Sequence, residues 1–216
     1  MRRGGATGLD VFYPIVPDAA WLSRIVPLGV RTVQLRVKDV DPAEARRQIA
    51  AAVALTRGTQ CQLIVNDYWR EAIAVGGADY VHLGQEDLSA ADVTAIKAAG
   101  LRLGISTHSE EELAVALAAE PDYVALGPIY ETKLKVMKWA PQGLARIGRW
   151  KARVGDLPLV AIGGITPERA PGVMAAGAQS VAVITDFLTA PDPVARIGVW
   201  LAWAAGAREG CVRSDR

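Results

Sequence analysis

Ala78-Asp79-Tyr80-Val81-His82-Leu83-Gly84 resembles Pro121-Asp122-Tyr123-Val124-Ala125-Leu126-Gly127, and this weak internal repeat bears on how the chain is organised. Each copy is a short apolar segment that ends in glycine, which predicts a β-strand followed by a turn. The two copies are separated by about two βα units. We therefore expect a chain assembled from repeated βα units.

Strand-like and helix-like segments alternate along the whole chain at a spacing of roughly 20 to 30 residues, which is typical of βα units. The predicted strands begin near Val11, Thr32, Gln62, Tyr80, Arg102, Tyr123, Leu159 and Val181. Eight such units predict a single (β/α)8 TIM barrel, with an open doubly wound sheet as the competing architecture. An open sheet would usually carry a glycine-rich phosphate loop after its first strand. Here that strand ends in Ile15-Val16-Pro17-Asp18, so the barrel is favoured.

The length of 216 residues is normal for one α/β barrel, so we expect a catalytic domain over residues 1–206 and a disordered polar tail over residues 207–216. Hydrophobic residues make up 51% and charged residues 22%, which is a soluble globular composition. The formal net charge of +1 gives no support for nucleic acid or an anionic membrane as a partner. No apolar stretch is long enough to span a bilayer, and the first residues lack the apolar core of a secretory signal.

Two cysteines, Cys61 and Cys211, stand far apart in the chain, so we expect no disulfide and a cytoplasmic location. Trp200 and Trp203 near the C-terminus leave two alternatives open, an interface in a homo-oligomer or a cover over the barrel. The sequence does not decide between a monomer and a homo-oligomer.

One predicted strand carries polar residues at alternate positions, namely Gln34, Arg36 and Lys38. Alternation places these three side chains on one face of the strand. Strands of a parallel sheet are normally covered on both faces, so two cations on such a strand are costly unless an anion meets them. The segment therefore predicts an anion-binding site.

Polar residues gather where the predicted strands end, which in a (β/α)8 barrel is the catalytic face. Asp67 and Asp87 end consecutive strands, so we expect them to be neighbours at this rim. Two carboxylates beside phosphate-binding cations suit Mg²⁺. The alternative for each aspartate is to cap the following helix. Their joint position next to Arg36 and Lys38 favours the metal.

Three further segments on the predicted rim indicate anion binding. The basic loop from Tyr130 to Ala140 follows strand six, and Lys135 is its expected anion ligand. Gly163-Gly164 ends strand seven ahead of a helix, where backbone N–H groups commonly bind phosphate in this fold. Thr185 at the end of strand eight can serve the same phosphate. We therefore expect two anion sites, one for each of two phosphorylated small-molecule substrates or both for one bisphosphorylated substrate.

Taken in order, these segments resemble the thiamine-phosphate synthase family from about Tyr13 to Phe187. The most specific parts are Gly84-Gln85-Glu86-Asp87 and Gly127-Pro128-Ile129. The resemblance implies a transferase of thiamine biosynthesis that joins 4-amino-5-hydroxymethyl-2-methylpyrimidine diphosphate to 4-methyl-5-(2-hydroxyethyl)thiazole phosphate. It also implies a dissociative reaction, in which diphosphate leaves before the thiazole nitrogen captures a pyrimidinylmethyl cation. Such a reaction needs no strong base on the protein, and the sequence shows no evident His–Asp or Cys–His pair.

The resemblance also assigns residues to each ligand. It implies that the pyrimidine diphosphate is bound by Gln34, Arg36, Lys38, Asn66, Ser106 and Lys135. It implies that Mg²⁺ is bound by Asp67 and Asp87, and that the thiazole phosphate is bound by Thr132, Gly163, Gly164, Ile184 and Thr185. The expected catalytic residues are Arg36, Lys38, Lys135 and Ser106.

Two positions depart from the family pattern, because Leu134 replaces a usual threonine and Glu131 a common proline. The main alternative function is a thiazole tautomerase of the same superfamily with His108 as the base. A barrel enzyme acting on one sugar phosphate and a catalytically inactive binding scaffold are two more. We expect His108 to have a structural or substrate-packing role, and His82 to be a hydrogen-bonded interior residue.

Overall fold

Eight parallel strands form a closed barrel in the computed structural model, which describes residues 8–132 and 139–214, with side chains up to residue 209. Each strand pairs with its neighbours in the chain, and the last pairs with the first. The strands are β1 (Phe12–Val16), β2 (Thr32–Leu35), β3 (Gln62–Asn66), β4 (Tyr80–Leu83), β5 (Arg102–Thr107), β6 (Tyr123–Leu126), β7 (Leu159–Ile162) and β8 (Ser180–Val183). The predicted (β/α)8 barrel is confirmed.

Helices follow the strands and cover the outside of the barrel. They are α1 (Ala19–Ile25), α2 (Pro42–Thr56), α3 (Trp69–Val75), α4 (Gln85–Ser89), α5 (Val93–Ala98), α6 (Glu110–Ala118), α7 (Gly143–Val154), α8 (Ala170–Ala175), α9 (Thr185–Leu188) and α10 (Pro193–Ser214). Side-chain caps begin several of them, because Asp18, Asp41, Asp92 and Ser109 each accept a hydrogen bond from the backbone N–H three residues later.

Alternate residues of the strands face two different cores, as the period of two requires. The barrel interior is filled by a small cluster consisting of Tyr13, Ile15, Ile64, Tyr80, Tyr123, Ala125, Val160 and Ala182. The other strand residues pack against the helices in one larger apolar layer. Three tyrosines in the interior give the barrel a partly polar centre, which bears on the site described below.

The C-terminal segment differs from the expected disordered tail over residues 207–216, because α10 continues to Ser214. Arg208 holds this helix to the start of the barrel through two hydrogen bonds to the Asp10 carboxylate, at 2.8 and 2.7 Å. Trp200 is fully buried and stacks on Phe12 with ring centroids 5.0 Å apart, so it covers the barrel. Among the described residues, no helix has both the length and the apolar character needed to cross a bilayer.

Candidate active site

The carboxyl ends of all eight strands meet at one rim of the barrel, because every pairing is parallel. β2 ends at Leu35, so Arg36 and Lys38 of the predicted alternating segment follow the strand. The Arg36 N–H nevertheless donates to the Val16 carbonyl at 2.8 Å and continues the strand pairing by one residue. Gln34 therefore lies inside the barrel and is only 1% exposed, while the Lys38 side chain reaches solvent. No carboxylate of the described residues forms an ion pair with Arg36, which leaves a cation available to a ligand.

Lys38 and two aspartates form the charged centre of the rim. The Lys38 ammonium is in direct contact with Oδ2 of Asp67. Burial, together with the neighbouring Asp67 carboxylate, raises the pKa of Asp87 above its ordinary value. Asp67 itself has a φ of 63°, an uncommon conformation for a residue other than glycine. The structure thus brings together the two aspartates and the lysine that the sequence predicted to be neighbours.

Neither aspartate caps a helix, which excludes the alternative role considered from the sequence. α3 begins after Tyr68 and α4 begins after Gly84, and neither helix has a side-chain cap. The next helix, α5, is capped by Asp92, whose carboxylate accepts from the Ala95 N–H. Asp67 and Asp87 therefore remain available to bind a ligand.

This donor set fits a hard divalent cation that takes its other ligands from water and substrate, as Mg²⁺ does. A cation between Asp67 and Asp87 would relieve the repulsion that raises the pKa of Asp87. No group of three or more His, Cys, Asp or Glu side chains in the described part of the chain could hold a metal. Zinc sites normally have three or four protein ligands, so these residues do not suit zinc.

Ser106 and His82 connect the rim to the barrel interior. Nε2 of His82 lies 2.8 Å from Oγ of Ser106, and Nδ1 lies 2.8 Å from the Tyr123 hydroxyl. Burial lowers the pKa of His82 to about 4, so its imidazole is neutral at physiological pH. Gln85 donates to the Ser106 carbonyl at 2.7 Å and holds the backbone of the same residue. His82 is therefore a hydrogen-bonded interior residue, as predicted, and both of its ring nitrogens have a partner.

The glycine pair after β7 packs directly under the loop that follows β6. Gly163 and Gly164 both have left-handed φ values, 101° and 64°. A Cβ on Gly163 would lie 2.6 Å from Cβ of Pro128, and one on Gly164 would lie 2.8 Å from Cβ of Tyr130. Only glycine satisfies both the conformation and this close approach. The Tyr130 N–H donates to the Gly163 carbonyl at 3.0 Å, which fixes the two loops together.

The other predicted phosphate ligands stand near this turn or outside the described residues. Ile184 and Thr185 follow β8, which ends at Val183 and not at Thr185 as the sequence suggested. Thr132 lies at the end of the described part of the β6 loop and is half-buried. Lys135, together with the departure at Leu134, lies outside the described residues.

A histidine–glutamate pair on the rim was missed by the sequence interpretation. His108 follows β5, and Oε2 of Glu112 accepts from its backbone N–H at 2.7 Å and lies 2.8 Å from its Nδ1. The imidazole also stacks on Trp139 with ring centroids 5.8 Å apart. A spacing of four residues at the start of a predicted helix was the available signal.

Tyr123 was also missed as a member of the site. In the internal repeat it occupies the same position as Tyr80, and His82 lies two residues after Tyr80. Residues two apart on a strand share a face, so this alternation already placed Tyr80 and His82 together. The contact between His82 and Tyr123 depends on how β4 and β6 are arranged around β5, which the repeat does not specify.

Comparisons with known proteins agree with this arrangement. A sequence profile described as thiamine monophosphate synthase matches residues 13–187. The thiamine-phosphate synthase of Rhizobium etli is 59% identical over 197 residues, covering 91% of this chain and 96% of that protein. The enzyme of the same name from Salmonella newport is 52% identical over 180 residues, covering 83% and 85% of the two chains.

A solved structure supports the same assignment. The thiamine phosphate pyrophosphorylase of Pyrococcus furiosus superposes with a TM-score of 0.78 at 25% identity, covering 92% of this chain and 96% of that chain. The tautomerase alternative gains no support from these relatives, which are named as synthases, that is, as transferases. From the matched profile, the level of identity and the shared barrel, we conclude that this chain belongs to the thiamine monophosphate synthase family.

Proposed function

We propose that this chain joins 4-amino-5-hydroxymethyl-2-methylpyrimidine diphosphate to 4-methyl-5-(2-hydroxyethyl)thiazole phosphate, giving thiamine phosphate and diphosphate with Mg²⁺ as cofactor. Family membership supports the reaction. The observation that carries the site assignment is the contact of Lys38 with the Asp67 carboxylate, which itself lies beside the Asp87 carboxylate at the mouth of the barrel. We further propose a cytoplasmic location, because the two cysteines of the sequence, Cys61 and Cys211, stand far apart in the chain and a reducing compartment suits them.

The pyrimidine diphosphate would lie over the mouth of the barrel above β2 and β3. Gln34 is buried, and none of the described residues hydrogen-bonds its Nε2, so its amide can bind a polar atom of the heterocycle. Arg36, which forms no ion pair with any carboxylate in the described part of the chain, would meet the diphosphate. Asn66, 5% exposed at the end of β3, and Ser106 supply further polar groups. Lys135 belongs to the same proposed set.

Asp67 and Asp87 are the residues that would hold Mg²⁺, which when bound neutralises charge growing on the departing diphosphate. Arg36 and Lys38 add fixed positive charge around the same leaving group. Such groups are aimed at charge that develops in the transition state, so removing one typically costs about 3 kcal/mol, or roughly a hundredfold in rate.

The reaction breaks the bond between the pyrimidinylmethyl carbon and the diphosphate oxygen, and the electron pair leaves with diphosphate. The lone pair of the thiazole nitrogen then forms the new bond to that carbon. No proton has to be removed from the nucleophile, so the protein needs no general base. His82 agrees with this requirement, because it is neutral, buried and hydrogen-bonded at both ring nitrogens.

The thiazole phosphate would bind at the glycine pair after β7. Backbone N–H groups at Gly163 and Gly164 can approach an anion closely because no side chain intervenes. Thr132, Ile184 and Thr185 complete the proposed site. Ile184 packs against the barrel interior, so the phosphate would lie above the same opening as the pyrimidine.

The direct test is to incubate the purified protein with both phosphorylated substrates and Mg²⁺ and to measure thiamine phosphate. We expect product, and we expect EDTA to abolish its formation. Absence of product, with substrates shown to be competent by a known synthase, would contradict the proposal.

Two arginines at opposite ends of β2 provide a matched pair of variants. Arg36 follows the strand at the rim, and Arg31 precedes it at the other end and is exposed. We expect Arg36→Met to lower kcat/KM about a hundredfold and Arg31→Met to leave it unchanged. Equal effects of the two changes would mean that Arg36 does not act on the substrate.

A further inference from the structure

Three side chains form a hydrogen-bonded chain from the centre of the barrel to its rim. Tyr123 is fully buried, and its hydroxyl lies 2.8 Å from Nδ1 of His82. Nε2 of the same imidazole lies 2.8 Å from Oγ of Ser106. His82 is 6% exposed, so neither ring nitrogen is open to bulk water. Of these three side chains, only Ser106 reaches the proposed substrate site.

The row of contacts also extends inward from Tyr123. Burial raises the pKa of Tyr123 well above its ordinary value, so its hydroxyl keeps its proton. The Tyr13 hydroxyl and the Gln34 amide both interact with that hydroxyl from inside the barrel. Tyr123 is therefore held by the barrel interior on one side and contacts Nδ1 of His82 on the other.

His82 in turn is held on both sides, by Tyr123 at Nδ1 and by Ser106 at Nε2. Gln85 fixes the backbone of Ser106 through its carbonyl. The Ser106 side chain is therefore placed by His82, and its hydroxyl keeps further hydrogen-bonding capacity toward the rim.

Gly104 leaves the space that this row of hydrogen-bonded side chains needs. A Cβ on Gly104 would lie 2.5 Å from the Tyr123 hydroxyl oxygen and closer still to two ring carbons. Gly104 pairs with His82 in β4 and with Tyr123 in β6. The absence of a side chain at this position is therefore what lets the Tyr123 ring extend across β5 to reach His82.

From these contacts we infer that Tyr123 and His82 are positioning residues that hold the Ser106 hydroxyl in place for the phosphorylated pyrimidine substrate. The inference rests on the proposed function, because it concerns how that site binds its ligand. It adds two residues, neither of which touches substrate, to the machinery of the reaction.

The test removes the hydroxyl oxygen of Tyr123. Tyr123→Phe should lower kcat about tenfold, the value of one positioned hydrogen bond, with little change in either KM. Tyr80→Phe is the matched control, because Tyr80 occupies the equivalent repeat position inside the barrel and makes no hydrogen bond to His82 or Ser106. We expect its kcat to stay within about twofold of the wild type.

A double-mutant cycle separates positioning from general damage. In a Ser106→Ala background, Tyr123→Phe should have no further effect on kcat, since the group that it positions is gone. A full tenfold loss in that background would overturn the inference, as would an unchanged kcat in the single variant. Wild-type protein that makes no thiamine phosphate would instead refute the proposed function, so the two failures are distinguishable.

His82 provides an independent pair of variants should Tyr123→Phe fail to fold. His82→Gln can keep an amide group that hydrogen-bonds Ser106 near the position of Nε2, whereas His82→Leu keeps only bulk. We expect the Gln variant to retain more activity than the Leu variant, and the loss in the Leu variant to vanish in the Ser106→Ala background. Equal activities of the two His82 variants would contradict the positioning role.

Discussion

A methyl group added at Gly104 should cost more stability than almost any other single methyl in this protein. The added Cβ would lie 2.5 Å from the Tyr123 hydroxyl oxygen, whereas ordinary contacts are 3.4–4 Å, so the ring must move by about 1 Å or more. The ring cannot move freely, because Tyr80 and Tyr13 pack edge-on against it at centroid distances of 5.8 and 6.5 Å.

Two contributions set the size of the effect. Overpacking a filled core costs about 1–3 kcal/mol, and losing the hydrogen bond between Tyr123 and a buried His82 adds about 1 kcal/mol. We therefore expect Gly104→Ala to lower the free energy of unfolding by about 2–4 kcal/mol. For a chain of this length that corresponds to a fall in Tm of about 10 °C. Thermal unfolding followed by circular dichroism measures it directly.

Gly198→Ala is the matched control, because Gly198 lies within α10 and has nothing within 4 Å of an added Cβ. It should be neutral or raise stability by up to about 1 kcal/mol. Placing Gly104→Ala in a Tyr123→Ala background should remove most of its cost. Unfolding curves for Gly104→Ala that match those of Gly198→Ala would refute the packing argument.

Three further predictions concern the rim. Asp87→Asn should lower kcat/KM about a hundredfold or more. In EDTA the Tm of this variant should equal or exceed that of the wild type, because the change removes a like charge from beside Asp67. A drop in Tm would indicate a structural role instead. The raised pKa of Asp87 means that its carboxyl keeps a proton to higher pH, so the Mg²⁺ concentration for half-maximal activity should rise as pH is lowered, and an unchanged value would argue against Asp87 as a ligand. Gly164→Ala places a Cβ 2.8 Å from Cβ of Tyr130 at a φ of 64°, so it should raise the KM for thiazole phosphate at least about tenfold and leave that for pyrimidine diphosphate unchanged; equal changes in both KM values would show that the two sites are not separate.

Strand positions and the barrel class follow from local patterns. The predicted starts of all eight strands agree with the structure to within one residue, because short apolar runs flanked by glycine and polar turns report burial locally. The grouping of Asp67 and Asp87 with Lys38 also followed, since parallel strands bring their carboxyl ends to one rim. The helix α10 enters the segment that was predicted to be a disordered tail, where a distant partner, Asp10, holds it through Arg208.

The spacing of the apolar segments and the turn residues between them thus establish the barrel and the rim at which the polar residues collect, since both arise from contacts between near neighbours. Which rim residues touch, and in what order hydrogen bonds run from Tyr123 through His82 to Ser106, is decided when strands far apart in the chain close into a ring. The close approach of the β6 loop to Gly164 without a clash is likewise decided only by the folded molecule. Such relations depend on distances of a few ångströms between segments that the one-dimensional pattern does not relate, so only the folded molecule supplies them.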